Sequence, residues 1–132
     1  MKYVEIYVLG VYIMETGIGK WYTILRYKGR DKLISGEVSG WNACRMTFVA
    51  IAEGLRALKE PCNVTVYTQY NFISNAMQGV WKRKSNLDLY ALLDDQGARH
   101  TVKYEFYKNI KTVFRAKWKE IRAAERTANR IE

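Results

Sequence analysis

Proline occurs once in the 132 residues, as Pro61, histidine once, as His100, and cysteine twice. A Pro-rich linker, a disulfide framework and a Cys/His zinc cluster are thereby excluded. Cys44 and Cys62 flank a helical stretch whose rise of about 1.5 Å per residue would hold them more than about 20 Å apart, beyond disulfide reach. No apolar run attains the roughly 18 residues of a spanning helix, so no membrane partner is expected. These absences point to a cytoplasmic protein without structural metal. Lys2 and the apolar stretch to Met14 have the outline of a signal peptide, but Glu5 and Gly10 interrupt it and no small-residue cleavage site follows. A first β-strand explains the stretch better.

Acidic residues are also scarce, 13 against 22 Lys plus Arg, for a formal net charge of +9. The excess is uneven: nine basic against six acidic residues up to Gly79, and thirteen against seven beyond it. Such a field fits a polyanionic partner, nucleic acid before membrane. What remains is packing material, with 48% hydrophobic residues including four Trp, ten Tyr and four Phe. The length suits a single domain over residues 1–132.

Tyr3 to Leu9 is nearly all apolar and rich in β-branched and aromatic residues, the pattern of a strand covered on both faces. Gly17 and Gly19 mark a loop, Trp21 to Tyr27 a second strand, and Gly29 to Asp31 a turn into a third, Lys32 to Val38. The period then changes: Asn42 suits an N-cap, and Phe48, Ile51, Leu55 and Leu58 follow at helical spacing until Pro61. Val64 to Thr68 reads as a fourth strand. A short helix carries Phe72, Ile73, Ala76 and Met77 and stops at Gly79, and Ser85 or Asn86 caps a third with Leu89, Leu92 and Leu93 inward. Val102, Tyr104 and Phe106 share one face of a fifth strand. Together these elements predict an α/β layered domain.

The last segment, Lys111 to Ile131, predicts one long amphipathic helix. Phe114, Trp118, Ile121, Ala124, Ala128 and Ile131 fall on one side of a helical projection. Lys111, Arg115, Lys119, Arg122, Arg126 and Arg130 recur at spacings of three and four and make a continuous basic stripe. A second basic cluster, Lys82, Arg83 and Lys84, follows Trp81; a ring beside cations suits base stacking, but Trp81 itself reads rather as a core or half-buried residue before a solvated basic turn. His100 reads as a surface residue at a helix-to-strand turn, and Glu15, Glu37, Glu53, Asp94 and Asp95 lie apart with no catalytic spacing.

The order of elements and several phrases resemble ribonuclease H of type 1, over essentially the whole chain. "VEIYVLG" through "ILRYKG" is similar to the family's first hairpin, "NACRMTFVAIAEGLRAL" to its first helix, and "PCNVTVYTQYNFI" to its fourth strand and following turn. "SNLDLYALLD" and "VKYEFYK" match the later helix and last strand. The resemblance implies a five-stranded mixed sheet of order 3-2-1-4-5 with helices on both faces. It also implies a nuclease for RNA/DNA hybrids in which four carboxylates hold two Mg²⁺ ions. In this chain the first three acid positions are taken by Leu9, Thr47 and Gln69, the fourth by Glu120 or Ala124 according to the register chosen, and a histidine position by Ile110.

Mg²⁺ is a hard cation that seeks anionic oxygen, and at most one such ligand remains. The expectation is therefore a ribonuclease H-like module with no metal cofactor and no hybrid cleavage that binds hybrid or duplex through backbone phosphates. Asn42, Arg45 and Asn71 stand at or beside positions matching the family's nucleic-acid contacts. Lys82, Arg83, Lys84 and the stripe Lys111, Arg115, Lys119, Arg122 and Arg126 complete the candidate surface. A structural or protein-interaction domain with no nucleic-acid ligand, or a residual nuclease, are the alternatives.

Overall fold

The computed structural model describes residues 1–123. Strand β1 (Lys2–Ile13) pairs antiparallel with β2 (Ile18–Tyr27), which pairs antiparallel with β3 (Arg30–Ser39). On its other side β1 runs parallel to β4 (Cys62–Thr68), and β4 runs parallel to β5 (Thr101–Phe106). The sheet order is β3-β2-β1-β4-β5, as the resemblance implies. Parallel neighbours need crossovers, supplied by helix α1 (Ala43–Ala57) before β4 and by α2 (Asn71–Met77) and α3 (Leu87–Gly97) before β5. Helix α4 (Ile110–Ala116) follows β5.

The pleat explains the layers. Val4, Ile6 and Val8 of β1 pack with Phe48, Ile51 and Leu55 of α1 and with Leu89 and Leu93 of α3. Tyr7 and Leu9 point the other way, into a second cluster with Ile24, Ile110, Phe114 and Ile121. Helices thus cover both faces of β1, which is why its sequence is apolar without alternation. Among the described residues no helix is long and apolar enough to cross a membrane.

Several elements differ from their sequence expectations. β1 runs through Gly10 to Ile13, and Gly19 lies in β2 opposite Tyr12, because the hairpin extends its ladder almost to the turn and satisfies these backbone groups. Phe106 does not share the burial of Tyr104: it is 49% exposed against 4%, at the end of an edge strand. His100 is no simple surface residue, since its Nδ1 accepts the Cys62 amide N–H at 3.0 Å and so fastens the start of β4.

The final segment is not one continuous helix. α4 ends at Ala116, Lys117 takes φ −101° and ψ 2°, and helical geometry resumes at 118–123. The turn lets the Lys117 ammonium reach Asp31 on β3 at 3.3 Å. Asp31 is also gripped by both arms of Arg26, at 2.7 and 3.0 Å, and these two cations hold its carboxyl below the usual range. Lys111 and Arg115 therefore sit on α4, while Lys119 and Arg122 sit on the segment after the turn. Ala124, Arg126, Ala128, Arg130 and Ile131 lie outside the described residues.

Candidate functional site

Three of the positions singled out in the sequence lie on neighbouring elements: Leu9 on β1, Thr47 on α1 and Gln69 directly after β4. Leu9 is 5% exposed and faces the α4 layer. The next residue, Gly10, lets the start of α1 come close, with an added Cβ only 2.6 Å from the Thr47 amide nitrogen and Oγ1. The parallel β1–β4 ladder ends at the pair Tyr7 and Tyr67, and Gln69 follows β4, which ends at Thr68. Thr47 is fully buried, and its hydroxyl donates to the Ala43 carbonyl at 2.9 Å.

This trio does not fit a divalent cation. Leu9 has no ligand atom, Thr47 offers only a neutral hydroxyl whose proton goes to the Ala43 carbonyl, and Gln69 offers only a neutral amide. Glu120 is exposed, with its carboxylate 3.8 Å from Lys117, and Ala124 is outside the described residues. Among the described residues no three His, Cys, Asp or Glu side chains come together as metal ligands would.

Beside Leu9 lies instead a cavity of about 340 Å³. Its floor is Leu9, Val11, Phe114 and Trp118, and its wall is Lys111 and Arg115. The Arg122 guanidinium stacks over the Trp118 ring at 5.3 Å. Trp118, expected inward, is 37% exposed and touches Tyr22 edge-on at 6.4 Å between centroids.

A second concavity, about 680 Å³, opens between the start of α1, α2 and the 80–86 loop. Cys44, Phe72, Ala76, Trp81 and Tyr90 line it, with Lys82, Lys84 and Asn86 also on its wall. Trp81 is 48% exposed, a half-buried ring on the wall of this concavity and not a core residue. Burial raises the Cys44 thiol pKa above its ordinary value.

The remaining candidates divide into held and open side chains. Asn42 caps α1, its Oδ1 accepting the Arg45 N–H at 2.9 Å. Arg45 stacks on Trp41 at 4.4 Å and donates to Asn86 Oδ1 at 3.1 Å and to Asp88 Oδ2 at 2.9 Å. Asn86 thus spends its side-chain oxygen on Arg45 and makes no side-chain cap for α3, where its backbone is left-handed at φ 55°. Arg83 forks onto Asp94 at 2.6 and 2.9 Å and lies over Tyr90, and it holds the Asp94 carboxyl below its ordinary pKa. Lys82, Lys84, Asn71, Lys111, Arg115, Lys119 and Arg122 are exposed. The pairings of Asp88 with Arg45 and of Asp94 with Arg83, and the place of Phe72 and Tyr90 on the wall of the concavity, leave no mark in the sequence. Asp88 lies 43 residues from the arginine it holds, a separation that leaves no local signal.

No family model matches the chain. It is 36% identical over 122 residues to a ribonuclease H of Oleidesulfovibrio alaskensis, covering 82% of this chain and 79% of that one. It is 39% identical over 126 residues to a ribonuclease H of Caldicellulosiruptor saccharolyticus, covering 85% and 87%. Among solved structures, the N-terminal RNase H domain of a Mycobacterium tuberculosis protein, fused to maltose-binding protein, superposes with a TM-score of 0.76 at 16% identity, covering 97% of this chain and 99% of that one. LC11-RNase H1 in complex with an RNA/DNA hybrid superposes at 0.69, also at 16% identity, covering 82% and 87%.

Proposed function

This chain belongs to the ribonuclease H family, and on that premise we propose that it is a member that binds nucleic acid without cutting it. The ligand is an RNA/DNA hybrid or duplex, held mainly at its phosphates. One observation carries the reading: the positions at which the family resemblance places its metal-holding acids are occupied by Leu9, Thr47 and Gln69, none of which has an anionic oxygen. A hydrolase that works through paired divalent ions needs carboxylates there.

Removing those negative charges also removes their repulsion of a phosphate backbone. The open cations Lys82, Lys84, Lys111, Arg115, Lys119 and Arg122 supply attraction, and the +9 net charge extends it beyond contact distance. Arg45 and Arg83, each tied to a carboxylate, contribute less net charge than their sequence positions suggest. The relative solved with an RNA/DNA hybrid supports the hybrid as a ligand. Two free cysteines, Cys44 and Cys62, support a reducing, cytoplasmic setting.

Mobility shifts with hybrid, duplex and single-stranded probes at two salt concentrations test the binding. Retention should fall steeply as salt rises. A chain that shifts none of the probes is a protein-interaction domain instead. Incubating labelled hybrid with Mg²⁺ or Mn²⁺ tests the silence, and metal-dependent cleavage that persists through stringent purification refutes it.

A further inference from the structure

Building on the nucleic-acid reading, we propose that Lys111, Arg115 and Arg122 form a phosphate seat beside Leu9, so that binding there needs no divalent ion and free Mg²⁺ competes with it. Lys111 and Arg115 stand four residues apart on α4. That spacing places their Cβ atoms about 5–6 Å apart on one side of the helix. Both line the cavity floored by Leu9, Val11, Phe114 and Trp118. Arg122, beyond the turn at Lys117, stacks on Trp118, one of the residues that line this cavity, and so brings a third cation to its edge. Among the described residues none of the three is in an ion pair, so their charge is available to an anion.

The floor decides between ligands. A hydrated Mg²⁺ ion would exchange water for apolar carbon while facing three like charges. A phosphate meets three donors there, and the apolar floor keeps the local dielectric low and strengthens the attraction. Where relatives with carboxylates would need metal to neutralise that end of the sheet, this chain carries its positive charge on α4 and the residues after it.

Fluorescence anisotropy of a labelled RNA/DNA hybrid, titrated with the full chain at constant ionic strength, tests the seat. Affinity in EDTA is expected to equal or exceed that in millimolar Mg²⁺. Lys111→Gln and Arg115→Gln should each flatten the slope of log affinity against log salt by about 0.9. Arg115→Lys should restore it, because the charge is kept. Lys59→Gln, an exposed cation just beyond α1, is the control and should leave the slope in place. Tighter binding with Mg²⁺, or equal slopes for Lys59→Gln and Lys111→Gln, overturns the seat while leaving the broader reading intact. Absence of salt-dependent binding under every condition removes both.

Discussion

A β-carbon on Gly10 would lie 2.6 Å from the amide nitrogen of Thr47, and 2.2 Å from the carbonyl oxygen of Ala43. Strand and helix therefore touch through backbone at the point where the family's chemistry would be centred. Neither backbone atom can swing aside as a side chain would, so Gly10→Ala must push α1 off the sheet. The expected loss is about 1–3 kcal/mol, toward the upper end, read as a lower urea midpoint at unchanged m-value.

Thr47→Val tests the role assigned to the buried hydroxyl. The swap keeps the shape and removes one hydrogen bond, to Ala43 at 2.9 Å, so about 1 kcal/mol of stability should be lost. Affinity for hybrid should not change, because the side chain is fully buried. A large drop in affinity in a folded Thr47→Val protein would place the hydroxyl in ligand binding.

The imidazole of His100 accepts the Cys62 N–H through Nδ1, which requires that nitrogen to be unprotonated. Burial, with the neighbouring Arg99 charge, lowers its pKa below 6.5. A depressed folded-state value means the unfolded chain binds the proton more readily, so this contribution is complete above about pH 6.5 and declines as pH falls through the folded pKa. Urea midpoints at pH 7.5 and 5.5 should show the loss, and His100→Gln should show less of it.

Asp31 acts in a lower window. Arg26 and Lys117 hold its pKa below the ordinary carboxylate value, so the stabilisation is present above about pH 3.9 and disappears as pH falls through the folded pKa. Asp31→Asn should destabilise at neutral pH and flatten the acid limb of the stability profile. Because Lys117 holds the turn after α4 against β3, the variant should also accelerate proteolysis after Ala116.

Asp94→Asn bears on the interface. It releases the Arg83 guanidinium from its fork and removes the negative charge that offsets it. Hybrid affinity should rise several-fold at low salt and the salt slope should steepen by about one phosphate contact. Unchanged binding would mean that the 80–86 loop does not meet the ligand.

The fold was largely legible because its signals are local. The nearly all-apolar stretch from Tyr3 to Leu9, broken only by Glu5, announces a central strand, and Asn42 before Phe48, Ile51 and Leu55 announces a capped helix. The long C-terminal helix was misread for the same reason: the periodicity of Phe114, Trp118 and Ile121 survives a turn at Lys117, so spacing alone could not reveal the break. Phe106 likewise fits the alternation of β5, yet its exposure follows from an edge position.

What the chain's own letters determined was the order of elements and the chemistry at Leu9, Thr47 and Gln69, since a side chain without an anionic oxygen lacks one in any fold. Only the tertiary structure decided which cations remain open. Arg45 and Arg83 carry the same charge as Arg115, but Asp88 and Asp94 come within hydrogen-bonding distance of the first two, while Arg115 stands beside Leu9. Coulomb attraction falls with distance through space, not along the sequence, and those distances exist only once the sheet has brought its crossovers together.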